Sequence, residues 1–513
     1  MNTLIVAGGS GSRTLEALLH LCAAGHGPRE PLRVLVIDPD RANGNARRVT
    51  GLTETYVALQ KSLGGRLGPD RRRQPLRLFG TVLDLLGDRL QVWRPVGLGD
   101  TLRQSIDHAR LAGEYAIYRD AARLLFTPTS LDLGMEVGYR GRPAIGAAAL
   151  ALLSRSAGEP PWNLLLSGIQ DDVTNRKRSR VFVVGSVFGG TGASAIHPVA
   201  RFLRNTIQAD AGQLRIGVGA LTPYFTFVDE DDNTAAKSRS FPLATRSAIE
   251  FYQHLRENGE WLFDAVYWVG DTDPVKYPTS AGGHTQENPA HFCELLAAFA
   301  AVDFFNHDVG EGECYYSGPR QPPFAADLGE KNVADWEDIP RRDPGDGPAA
   351  RRDALRLFLM GMTHMGFWDE VLEGDRIDNR PECVPWYLRR FRDRSLRQTD
   401  RRGLELLGAY FKDHFFRWWQ DLVKLDRVRY FNRALWTGDG AVDVAGRPNI
   451  RWPNDPKKRA SDFDDVFELM VEAEQHAAGE DGLAQYVALL AHAADAYLDR
   501  HYRAETPAAP VRP

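Results

Sequence analysis

The chain has few cysteines, no long apolar run and no excess of positive charge. Its four cysteines (Cys22, Cys293, Cys314, Cys383) form no C-x-x-C pair. That leaves no disulfide framework and no zinc spacing, and it fits a reducing compartment. No stretch of about 18 uninterrupted apolar residues occurs, so no membrane span is expected. The apolar run after Met1 is too short for a signal-peptide core and lacks a basic start, which makes the expected location cytoplasmic. Formal net charge is -5, from 63 Lys and Arg against 68 Asp and Glu. The short basic runs at 71–73 and 176–180 read as solvated loops or helix ends, so no nucleic-acid partner is expected. There is no G-x-x-x-x-G-K-[ST] loop, no H-E-x-x-H pair and no G-x-S-x-G elbow. These absences set aside P-loop, zincin and α/β-hydrolase chemistry.

What is present is apolar material in an ordered pattern. The 513 residues are 43% hydrophobic and 26% charged, enough for a sizeable core and for more than one domain. Through residue 310, short β-type runs alternate with helical periodicity. Thr3 to Ala7, Arg33 to Ile37, Arg180 to Ser186, Leu214 to Ala220 and Phe263 to Val269 read as buried strands. Alternation of this kind predicts an α/β domain on a parallel sheet covered on both faces, with ligands bound beyond the strands' carboxyl ends. The glycine-rich and Asp-containing segments fall at those ends.

Two of these segments can hold phosphate. Gly8-Gly9-Ser10-Gly11-Ser12 follows the first strand, and Gly189-Gly190-Thr191-Gly192-Ala193 follows a later one; each opens a helix. A helix N-terminus offers unpaired N–H groups and partial positive charge, and glycine lets the backbone approach an anion closely. Arg140-Gly141-Arg142-Pro143 opens a third helix, so three turns could wrap a di- or triphosphate. Gly9-Ser10-Gly11 lacks the third spaced glycine of a dinucleotide fingerprint.

This order of segments resembles the nucleotide-binding domain of the tubulin and FtsZ superfamily. Phe188-Gly189-Gly190-Thr191-Gly192-Ala193-Ser194 is similar to its G-G-G-T-G-[ST]-G signature, with the outer glycines replaced. The resemblance implies GTP or GDP as ligand, with Mg²⁺ near Asp38 and Asp40. It implies that Thr222 lies beside the ribose and Asp271 beside the base, and that Asn288, His291 and Phe292 recognise guanine. In that family a carboxylate from one subunit completes hydrolysis on the next. Asn306-His307-Asp308-Val309-Gly310-Glu311 is similar to the loop concerned, which would make Asp308 and Glu311 catalytic in a homo-oligomer.

The resemblance covers residues 1–310. Residues 311–350 are rich in Pro, Gly and Asp and read as a linker or wrapping loop, 351–503 as a helical domain, and 504–513 as a disordered tail. The helical part departs from the family's mixed α/β second domain and reads as a protein-docking or regulatory module. Three functions stay open: a GTPase completed by self-association, a nucleotide-gated binding module without turnover, and a nucleotidyltransferase acting on sugar phosphates. The last rests on Ala7 to Arg13, similar to an A-G-G-x-G-T-R loop, although Leu15 to Leu18 stand where a Pro-Lys pair is expected.

Overall fold

The computed structural model describes residues 1–40, 42–63, 77–95, 101–106, 116–135, 138–139, 141–151, 153–228, 240–278, 283, 286–310, 312–319, 334, 338–339, 346–367, 398–425, 428, 469–470, 472 and 482–501. Arg140, Glu311 and the tail 504–513 lie outside them. The chain divides into two units: Met1–Leu19, Pro28–Glu54 and Thr81–Arg342 in one, His20–Gly27, Thr55–Gly80 and Asp343–Pro513 in the other. The break at 342/343 falls inside the stretch 311–350 read as a linker, and two early segments belong with the C-terminal part. Periodicity along one helix does not tell which core its last turns will join.

The first unit is built on an eight-stranded parallel sheet. Its strands are β1 (Asn2–Ala7), β2 (Leu32–Ile37), β3 (Leu83–Asp84), β4 (Gln91–Trp93), β5 (Ser179–Ser186), β6 (Leu214–Leu221), β8 (Ala265–Val269) and β10 (Glu313–Ser317). The order is β10-β8-β6-β5-β1-β2-β3, with β4 also on β2. Two further strands, β7 (Phe225–Val228) and β9 (Val275–Pro278), pair separately. Every residue of β1 and β2 is buried, as expected for strands covered on both faces.

The helices of this unit are α1 (Gly8–Ala24) and α2 (Gly44–Leu63), whose last turns belong to the second unit, with α3 (Pro143–Leu150), α4 (Trp162–Thr174), α5 (Thr191–Thr206), α6 (Phe241–Glu257) and α7 (Phe292–Asn306), besides a helix at Ala116–Leu125 and shorter turns. Strand alternation divides their cores. Ile5, Val183, Val218 and Val266 point to one face, with Ile169 of α4, Ile196 and Val199 of α5 and Tyr252 of α6. Phe182 points to the other, where its ring meets Phe304 and Phe305 of α7 at 5.5 and 6.1 Å.

The connection from β1 leads to β2 on one side, while β5 continues to β6 on the other. The order in which strands are added thus reverses between β1 and β5, and both glycine turns leave from these two strands. In doubly wound sheets this switch point is where ligands bind.

Sequence and structure differ at the edge of the sheet. Strand β10 lies within the expected linker. There Tyr315 stacks on Tyr267 at 4.7 Å, and the aromatic pairing outweighs the surrounding Gly and Pro.

The second unit is helical where described: α8 (Asp346–Phe367), α9 (Gln398–Ala409), a π-turn at Tyr410–Phe415, α10 (Phe416–Lys424) and α11 (Gly482–His501). Arg352 pairs with Asp499 at 2.8 Å and Arg356 with Asp495 at 3.4 Å between α8 and α11. Phe358 stacks on Trp419 at 4.7 Å, and the His20 ring lies 4.7 Å from that of Trp418. The tryptophans described here, Trp418 and Trp419, are core residues.

Candidate functional site

Both glycine turns stand at one place. Gly8 has φ +71, a backbone angle that favours glycine, and a Cβ there would lie 3.2 Å from Thr191 Cβ and 3.7 Å from Gly192 N. Gly190 is the N-cap of α5, with no side-chain cap. A Cβ on it would lie 3.2 Å from Gly141 N and from Tyr139 Cβ, so the third turn joins the first two. Gly11 serves packing instead, holding α1 against Val6 and Val184, and Gly192 presses α5 against the Ser186 backbone.

The loop after β2 closes the fourth side. A Cβ on Gly9 would lie 3.1 Å from Asn45 Nδ2 and 3.9 Å from Asn43 Nδ2. Asp38 accepts from Asp40 N at 3.0 Å and from Asn43 Nδ2 at 2.9 Å. Asp40 accepts from Ala42 N at 2.9 Å and Gly283 N at 2.7 Å. Burial pushes the Asp38 carboxyl up to about 7; neighbouring Asp40 adds to the rise, while Arg94 and the donors from Asp40 and Asn43 oppose it. These oxygens suit a hard cation, and each carboxylate retains lone pairs beyond the bonds it accepts. Among the described residues no cluster of three or more His, Cys, Asp or Glu is placed to hold a metal by itself.

Several buried donors at the site lack acceptors. Asn45 Nδ2, Tyr139 Oη and Ser12 Oγ are all without a hydrogen-bond partner, on residues no more than 1% exposed. Buried polar groups are rarely left so. A ligand rich in acceptor oxygens would satisfy them.

Behind the turn at residues 8–12 lies a buried polar network. Arg13 pairs with Glu294. The Tyr224 hydroxyl donates to Glu294 at 2.6 Å, accepts from Arg13 at 2.9 Å and lies 3.0 Å from Ser10 Oγ. Burial opposes the charge on Arg13, but Glu294 outweighs it and keeps the guanidinium protonated. Burial likewise raises the Tyr224 hydroxyl well above its ordinary value.

The remaining sequence candidates divide by position. His291, expected as a base contact, caps α7: its Nδ1 accepts from Cys293 N at 3.2 Å, and Glu294 accepts from His291 N at 2.9 Å. The helix α7 therefore opens at Phe292. Asp271 lies 4.0 Å from His291 Nε2, and Thr222 donates to Val269 O at 3.3 Å. Asn288 is engaged through its backbone, N–H to Asn45 Oδ1 at 3.1 Å and C=O to Arg48 at 3.0 Å. Phe292 is fully buried. Arg142 is exposed, its guanidinium 3.4 Å from Ser130 Oγ.

Asp308 lies elsewhere. It is exposed and pairs with Arg178 and with Arg180 at 2.8 Å, at the amino end of β5. Slight burial would raise its carboxyl, but Arg178 and Arg180 outweigh this and hold it below the usual range. Within one chain it is at the end of the sheet opposite the glycine turns.

Sequence reasoning missed Asn43, Asn45 and Glu294, and it gave Arg13, Tyr139 and Tyr224 no role of their own within the segments that hold them. The Asx-rich run Asp38-Pro39-Asp40 to Asn45 and the spacing of His291 and Glu294 were usable signals. No described helix is long and apolar enough to cross a membrane. No family model, curated protein or solved structure matches the chain.

Proposed function

We propose that this protein binds GTP or GDP with Mg²⁺ at the switch point of its sheet, as a tubulin- and FtsZ-like protein does. The observation that carries the proposal is the contact of Gly8 with Thr191, which turns the starts of α1 and α5 toward one space. The polyphosphate sits on amides of both helix N-termini, supported by the turn at Gly141. Asp38 and Asp40 would hold the cation, directly or through water, which offsets phosphate charge. The second glycine turn has no role in a sugar-phosphate nucleotidyltransferase, which makes that alternative the weaker one.

Hydrolysis, in this proposal, needs a second copy of the chain. Asp308 is too far round the sheet to serve its own nucleotide, and α7 runs from the Glu294 network toward it. A second reading, nucleotide-gated binding without turnover, draws support from the two arginines on Asp308. A carboxylate held by two guanidiniums is a weak base. Mass spectrometry of whatever nucleotide co-purifies with the chain, followed by phosphate release at rising protein concentration, tests both. Guanine nucleotide with concentration-dependent release supports the first. Bound nucleotide without release supports the second, and absence of any bound or bindable nucleotide refutes the proposal.

A further inference from the structure

We infer that Asn45 is a ligand-contact residue whose side-chain amide donates to a phosphate oxygen seated over Gly9; the inference rests on the polyphosphate site just proposed. The orientation of the amide follows from its neighbours. Asn288 N–H can only donate, and it lies 3.1 Å from Asn45 Oδ1. The oxygen end is thereby fixed toward Asn288, and the NH₂ end faces the phosphate loop.

That NH₂ group is buried on a residue 1% exposed, has no acceptor, and stands 3.1 Å from where a Gly9 Cβ would be. A Cβ at position 9 would crowd this amide. A donor sealed from water without a partner is unfavourable, and an anionic oxygen in the space would remove the deficit. Asn43 fixes the backbone of the same residue, its Oδ1 accepting from Asn45 N at 2.9 Å. Asn45 thus arrives as a preset donor. Its other end holds the segment that leads into α7, so one side chain ties the phosphate loop to Asn288.

Substitution of Asn45 separates this contact from the fold. Asn45→Asp keeps an acceptor for Asn288 N–H but replaces the donor by a negative charge. Titration calorimetry with Mg²⁺–GTP and with Mg²⁺–tripolyphosphate should show both affinities falling by about 100-fold or more in this variant. Asn45→Ala, which adds no charge, should lose about tenfold for both probes. Circular dichroism and thermal melting establish which variant is folded, and the folded one decides. Unchanged tripolyphosphate affinity in a folded variant overturns the assignment of Asn45 alone. Failure of the wild-type chain to bind either probe overturns the polyphosphate site as well.

Discussion

Gly8 backs directly onto Thr191: a Cβ on the first would lie 3.2 Å from that of the second. The two residues come from different strand-to-helix turns, and parallel pairing of β1 with β5 sets them side by side. Everything proposed for the ligand follows from this contact.

Gly190 has an ordinary helical φ of -73, so a side chain there meets neighbours rather than backbone strain. Its Cβ would stand 3.2 Å from Gly141 N and Tyr139 Cβ. Gly190→Trp should leave a folded protein whose GTP affinity is about 100-fold weaker or worse, ~3 kcal/mol. Equilibrium dialysis against labelled GTP measures it, and wild-type affinity in the folded variant would remove the site.

Arg13 and Glu294 form a buried ion pair joined by Tyr224. Removing one partner leaves the other charged and buried. Arg13→Met should therefore cost about 3–5 kcal/mol of stability. The double variant Arg13→Met, Glu294→Leu should recover much of it. Urea denaturation midpoints give the answer; equal loss in single and double variants would show that the pair is not coupled.

Asp308→Ala should lower GTP turnover by about 100-fold without changing GTP affinity, if turnover is present. The loss should be complemented in mixtures with Gly190→Trp chains, which lack a ligand site but carry Asp308. Phosphate release that does not depend on protein concentration would argue against action on a neighbouring chain.

Acid should weaken the helical unit through His364. Burial lowers its pKa to about 3, partly opposed by a hydrogen bond with the Leu404 backbone, and Nδ1 lies 2.9 Å from the Tyr486 hydroxyl. Between its unfolded value near 6.5 and about 3, the unfolded chain takes up a proton that the folded one does not. Stability is thus full above about pH 6.5 and falls by roughly 1 kcal/mol per pH unit below it. His364→Gln should flatten the slope of the melting temperature between about pH 6 and 4, and an unchanged slope would contradict the assignment.

The strands were legible because burial on both faces leaves uninterrupted runs such as Leu4-Ile5-Val6, which few other environments tolerate. The glycine turns were legible because close backbone approach and positive φ admit little else. Other residues were hidden for a physical reason: Arg13 and Glu294 look like ordinary surface charges of two helices until the fold brings them together. Asn45 reads as part of a polar loop, and its meaning depends on Asn288, far along the chain. At the start of α7, Asn288-Pro289 resembles a helix opening, whereas His291 and Glu294 form the actual cap. Tyr315 shows the same limit at β10, where pairing with Tyr267 across strands overrides local composition.

Hydrogen exchange on the wild-type chain, with and without Mg²⁺–GTP, addresses the central claim most directly. The account predicts that amides in residues 8–12 and in 189–194 slow together on adding nucleotide. Protection of only one turn, or of neither at saturating GTP, would contradict it.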